Sequence, residues 1–295
     1  MALRLELLVA GDLGPALDGR DDLAELAGVT VRIADEAPAG ALTRAAWQDD
    51  GFDFWAFDRH LDDLVARGEP LRVVTPATGA AALAREIATR GQRLAPRRNR
   101  ATAGAWFDRV LDEHRARHDL NKPLVRADLD HAIDAWQWSL RLDPEAPCEI
   151  QLAVLLHDIE RLEREPDARI EHLAADYQAF KDAHARAGAR IAHALLSRAG
   201  ASRELADEVC ALIAAHERTS EAPAIRAIND ADALSFFSLN SPGYLSYFGP
   251  ERTRSKIAYT LARMSPAARR ELPALRMPRL VRREALGVSH GDHLA

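Results

Sequence analysis

The stretch LAVLLHDIER, residues 152–161, constrains this chain more than any other: an apolar run that must enter a core ends in a histidine beside an aspartate, His157 and Asp158. Burying a polar group without a partner costs about 2–7 kcal/mol, and an ionised one far more. The rest of the sequence must supply partners, and further polar residues on apolar faces show where they come from. His131 lies in ADLDHAIDAWQWSL, where Ala135, Trp138 and Leu142 continue its stripe at helical spacing. His184 shares a stripe with Ala187, Gly188, Ile191 and Leu195, and His216 ends one made by Val209, Leu212 and Ile213. Asp232, in AINDADALSFF, sits among Ile228, Ala231, Leu234 and Phe236. A lone inward histidine is ordinarily a core residue bonded to a carbonyl. Four imidazoles and two carboxylates on separate helices are reconciled most simply by coordination. Such a set satisfies two divalent transition-metal ions, and its N/O mixture suits Fe or Mn, with Co, Ni or Zn as further candidates, better than Mg alone. Asp158 has two oxygens with which to bridge two ions.

The chain has 295 residues, 47% of them hydrophobic, enough for two domains of ordinary size. Its formal net charge is −6 and its Lys and Arg residues are scattered, so no nucleic-acid footprint is expected. Cys148 and Cys210 form no ligand spacing, which fits a reducing, cytoplasmic location. The opening MALRLELLVAGDL is broken by Glu6 and Asp12 and is too short for a signal core or a membrane span, so no membrane association is expected.

The chain changes character near residue 100. LRLELLV (3–9), VTVRIA (29–34) and LRVVT (71–75) read as strands, and AALAREIATRG reads as an amphipathic helix. Residues 1–98 are therefore expected to form a small α/β domain, although neither GxGxxG nor GxxxxGK[ST] occurs in it. LAPRRNRATAG (94–104), basic and poor in apolar residues, reads as a linker. Residues 105–265 read as an all-α bundle and 266–295 as a C-terminal extension, so the expected fold class is mostly α with a small N-terminal α/β domain.

The ordered set His131, His157–Asp158, His184, His216 and Asp232 resembles the HD superfamily of metal-dependent phosphohydrolases. The resemblance covers roughly residues 105–260. It implies an all-α bundle of five or more helices, a dinuclear site in which His184 and His216 are the histidines of two-metal members, and hydrolysis of a small phosphorylated substrate, a nucleotide or phosphate ester. The GYP sequence of cyclic-di-GMP phosphodiesterases is missing, and ADALSF does not match the ADRLHN of the synthetase-linked alarmone hydrolases. The superfamily also includes di-iron oxygenases similar to inositol oxygenase that use the same ligands. A non-catalytic metal-bound sensor is the third class.

A phosphoryl site needs cations around it. Arg161, three residues past Asp158, is the first candidate and Lys181, three before His184, the second; with Asp158 they make up the expected catalytic set. Arg252, Arg254, Lys256 and Arg263 form a run that is either a wet helix face or a cover for an anion. Asp134 and Glu217 are candidates to orient a ligating imidazole. His172 stays outside the ligand set, and His290 and His293 fall in the last few residues, where fraying is the expectation.

Overall fold

The computed structural model describes residues 3–10, 29–33, 38–49, 51–76 and 78–287. Residue 34 of the second expected strand, His290 and His293 lie outside them.

Four parallel strands, β1 (Arg4–Ala10), β2 (Val29–Ile33), β3 (Leu42–Thr43) and β4 (Pro70–Pro76), pair in the order β2-β1-β4-β3. A parallel strand is covered on both faces, so β1 reads as a nearly continuous apolar run in which Leu5, Leu7, Leu8 and Val9 are all buried. Helix α1 (Phe54–Arg67), which the strand-based reading did not anticipate, starts where Asp53 accepts from the N–H of Ala56 and stops at Gly68. Helix α2 (Ala80–Gly91) follows β4 as expected. The two helices lie with Trp47, Phe54, Phe57, Leu61 and Ile87 in this unit's own core.

The helical unit comprises α3 (Ala105–Ala116), α4 (Pro123–Leu142), α5 (Cys148–Leu156), α6 (Tyr177–Ala199), α7 (Arg203–Ala215), α8 (Pro223–Ser235), α9 (Ser241–Arg263) and α10 (Arg279–Leu286). The mostly-α class with an N-terminal α/β unit is thus observed. The second half of α5 is apolar on every side, and Leu152 through Leu156 have no exposed surface. It is the axis against which α4, α7 and α8 pack.

The stretches read as a linker and as a C-terminal extension are both packed where they are described. The stretch 94–104 is tied down: the Arg97 N–H donates to Gln137 Oε1, Asn99 Nδ2 donates to the carbonyls of Pro144 and Ala146, and Thr102 is fully buried. Composition showed its charges but not these backbone and amide bonds. The C-terminal segment is likewise no appendage as far as it is described, because Leu272, Leu275, Met277 and Val281 belong to the helical core. Arginines join the two units. Arg90 binds Asp58 and donates to the Ser238 carbonyl, and Arg93 reaches both Asp62 and Asp130. Among the described residues, no helix is long and apolar enough to cross a membrane.

Candidate metal centre

His157 and His216 each follow the last residue of a helix, α5 and α7 respectively. There the final carbonyls lack helical partners, and a side-chain N–H can supply one. Each ring does so in the same way: His157 Nδ1 donates to Val154 O and His216 Nδ1 to Ile213 O, both at 2.7 Å. A carbonyl only accepts, so Nδ1 carries a proton, and Nε2, pointing away from the helix, is the nitrogen left to meet a metal ion, which would displace any proton there. Both Nε2 atoms are buried without a hydrogen-bond partner.

The other two imidazoles are anchored through the same nitrogen. His131 Nδ1 meets Ser235 Oγ at 2.9 Å, and His184 Nδ1 meets Glu160 Oε2 at 2.6 Å. All four rings turn Nε2 toward carboxylates. His131 and His157 Nε2 lie 3.3 and 3.7 Å from Asp232 Oδ1, and His184 Nε2 lies 2.9 Å from Asp158 Oδ1. His216 Nε2 lies 3.5 Å from Glu217 Oε1, and the His157 ring sits 5.2 Å from that of His131 and 5.4 Å from that of His216. The backbone of α6 reaches the His157–Asp158 turn because Gly188 has no side chain; a Cβ there would stand 3.3 Å from the His157 carbonyl oxygen.

The local field favours a cation. Burial alone would push the His157 imidazole down, but Asp158 and Asp232 override it and hold it up at about 9. Burial would likewise raise both aspartates, yet Arg161, His157 and His184 keep Asp158 well below the carboxylate range, and His131 and His157 do the same for Asp232. Two groups, His131–His157–Asp158 and Asp158–His184–Glu217, each bring three ligand atoms within 4.8 Å of one another, and they share Asp158. Orphaned imidazole nitrogens, ionised carboxylates and fixed tautomers make a donor set that fits a divalent transition metal, and these residues are positioned to hold one.

The expected ligands therefore all converge, drawn from α4, the turn after α5, α6, the end of α7, and α8. The expected cations divide. Arg161 lines a cavity of about 90 Å³ above the ligands, where its nitrogens bind Asp158 at 2.8 Å, Glu165 at 2.9 Å and Glu171 at 3.3 Å. Lys181 is buried, and its Nζ is taken by Glu217 Oε1 at 2.5 Å. Of the basic run on α9, Lys256 lines the cavity and Arg263 donates to the His216 carbonyl, whereas Arg254 pairs with Glu284 and Arg252 is exposed. Asp134 accepts from Ser238 Oγ, so Ser235, not Asp134, fixes the His131 ring. His172 lies with its ring 5.7 Å from that of Phe248.

Sequence reasoning missed Ser235 and Glu160 as anchors. Ser235 stands three residues past Asp232, on the same helical face and between Leu234 and Phe236, and a polar residue in that setting was the available signal. Glu160 follows the doublet by two residues in a turn, where helical spacing says nothing about direction.

The family described as "Domain of unknown function (DUF4202)" matches residues 102–283, and the chain belongs to it. The match starts at the segment tied to α4 and α5 and reaches into α10, so it covers the helical unit and leaves the α/β unit outside. No curated protein and no solved structure matches the chain.

Proposed function

We propose that this DUF4202-family chain is a metal-dependent phosphohydrolase acting on a nucleotide or small phosphate ester. The observation that carries the reading is the set of four imidazoles anchored through Nδ1, with Nε2 turned onto carboxylates, beside a cavity into which His131, Asp158, Asp232, Arg161, Arg169 and Lys256 all face. His131, His157, Asp158 and Asp232 would hold one divalent ion, and Asp158, His184 and Glu217, whose Oε1 lies 3.5 Å from His216 Nε2, a second. Such ions, once bound, lower the pKa of water and offset the charge of phosphoryl oxygens.

The chain's own residues do the rest. Arg161 is a fixed positive charge: burial opposes its ionised form, but Asp158, Glu171 and Glu165 hold its pKa well above the ordinary value. Its three carboxylate partners also prevent it from swinging, so its field at the cavity floor is constant. Arg169 and Lys256 also line the cavity. Lys256 Nζ lies over the rings of Phe236 and Tyr259, 5.6 and 5.8 Å from their centroids, which keeps the ammonium at the wall where a phosphate oxygen would arrive. Phe236, Tyr244 and Phe248 line the same cavity and lower the local dielectric, which strengthens these charges.

The same ligands serve the di-iron oxygenase reading, and one experiment separates the two. The full chain is loaded anaerobically with Fe(II) or Mn(II) and offered nucleotides, phosphate esters, polyols and phosphonates, with phosphate release and oxygen uptake followed together. Metal-dependent phosphate release without oxygen, abolished in His157→Ala and Asp158→Ala, is the expected result. Oxygen consumption coupled to substrate loss in the iron form alone replaces hydrolysis with oxygenation.

A further inference from the structure

The small cavity above the ligands is not closed. Asp128, Arg169, Asn240, Tyr244 and Phe248 line it and also line a larger chamber of about 280 Å³. The shared partition is the ion pair in which Arg169 Nη2 donates to Asp128 Oδ1 at 2.7 Å. The chamber's far wall comes from the other unit: Phe54, Asp58, Arg59 and Arg90 all belong to the α/β part of the chain. At about 90 Å³ the inner space is far below the roughly 300–1,000 Å³ of small-molecule sites, whereas the two spaces together reach that range.

One wall of the chamber is aromatic. Tyr244, Tyr247 and Phe248 lie on the first half of α9, with Phe248 4.5 Å from Tyr244 and 4.6 Å from Tyr247 between ring centroids. The helix then breaks at Gly249, whose φ of +78° suits glycine, and Pro250 follows. Tyr247, half-exposed, is a large side chain that lines this chamber and reaches its mouth. The Arg169 N–H approaches Tyr247 Oη at 3.5 Å, which ties this aromatic wall to the Arg169–Asp128 partition.

We infer that this outer chamber seats a flat ring, so that the substrate is a phosphate ester whose alcohol portion carries a planar aromatic group. The ring stacks against Tyr244, Tyr247 and Phe248, and Phe54 of the α/β unit closes the far side. The α/β unit, outside the family match, thereby contributes to specificity. The phosphoryl end rests on the hydrolase reading; the ring site stands on the chamber itself.

The test uses the full Mn(II)-loaded chain and its Tyr247→Ala variant, which alters a half-exposed side chain. Phosphate release is measured for adenosine, guanosine and cytidine 5′-monophosphates and 1-naphthyl phosphate, with ribose 5-phosphate and glycerol 3-phosphate as ringless esters. Binding of the three nucleosides and of 1-naphthol is measured separately by calorimetry in chelator. The expected result is a kcat/KM preference of about tenfold or more for at least one ring-bearing ester, and a ring compound that binds without phosphate. Tyr247→Ala should lower both by several-fold more than it lowers turnover of ringless esters. Equal turnover of both ester classes, with no ring compound bound, overturns the ring site and leaves hydrolysis standing. Ring compounds that bind in a Tyr247-dependent way while no ester is cleaved support the ring site and overturn hydrolysis.

Discussion

Lys181→Met asks what a buried ammonium is for. Lys181 and Glu217 are each 3% exposed at the side chain, and their charged atoms meet at 2.5 Å. Burial by itself would pull the Lys181 pKa down, yet Glu217 carries it above the ordinary value; burial would raise Glu217, yet Lys181, His216 and Arg263 hold it well below. Each charge is stable inside the protein because the other is present. Removing one partner of a buried pair costs about 3–5 kcal/mol, since the remaining charge stays desolvated. Glu217 would keep Arg263 Nη1 at 3.5 Å and the Tyr259 hydroxyl at 3.4 Å, which places the expected cost near the lower end, about 3 kcal/mol. That corresponds to a fall in Tm of about 6–12 °C. The assay is urea unfolding at pH 7, in chelator so that metal binding adds nothing, on wild type, Lys181→Met, Glu217→Gln and the double variant. The double variant should lose less than the two single losses combined, by about 1–3 kcal/mol. A Lys181→Met loss below about 1 kcal/mol, or simple additivity, would refute a structural countercharge and return Lys181 to the substrate-facing role its position beside His184 suggested.

Two further outcomes follow from the same geometry. Glu160→Gln keeps the shape beside His184 Nδ1 but removes the charge that orients the ring, so Mn(II) affinity by isothermal titration should drop about 10–100-fold; an unchanged affinity would separate Glu160 from the metal centre. His118, just past α3, is pushed by burial from 6.5 down to about 4, although its bond to the His114 carbonyl works the other way. The fold holds the neutral ring, so its contribution is fully present above 6.5 and is lost as pH falls toward 4, a difference of roughly 3 kcal/mol. His118→Gln should flatten the pH dependence of the urea midpoint between 6.5 and 4 by that amount, and parallel curves would contradict it.

Helical spacing marked four of the six expected ligands, His131, His184, His216 and Asp232, and the apolar run before them marked His157 and Asp158. A stripe on an amphipathic helix shows which way a side chain faces, and the apolar residues flanking His131, His184 and Asp232 gave that direction without any partner being visible. The strands β1, β2 and β4 were legible as short runs rich in Leu, Val and Ile, nearly continuous in β1 and alternating with exposed residues in β4. What only the tertiary structure decided are the contacts between residues far apart in the chain. Ser235 Oγ reaches His131 Nδ1 across 104 positions, and Asn99 and Thr102 turn an apparent linker into part of the wall that supports α5. The charges were equally undetermined. Arg161, Lys181, Lys256 and Arg263 are all basic residues near ligands, and the sequence ranks them by distance along the chain. The fold ranks them by the carboxylates that occupy them: Lys181 is bound to Glu217, Arg161 is held by three acids, and Lys256 stands at the cavity wall. Direction follows from the local helix, whereas availability depends on which opposite charge the packing brings within reach.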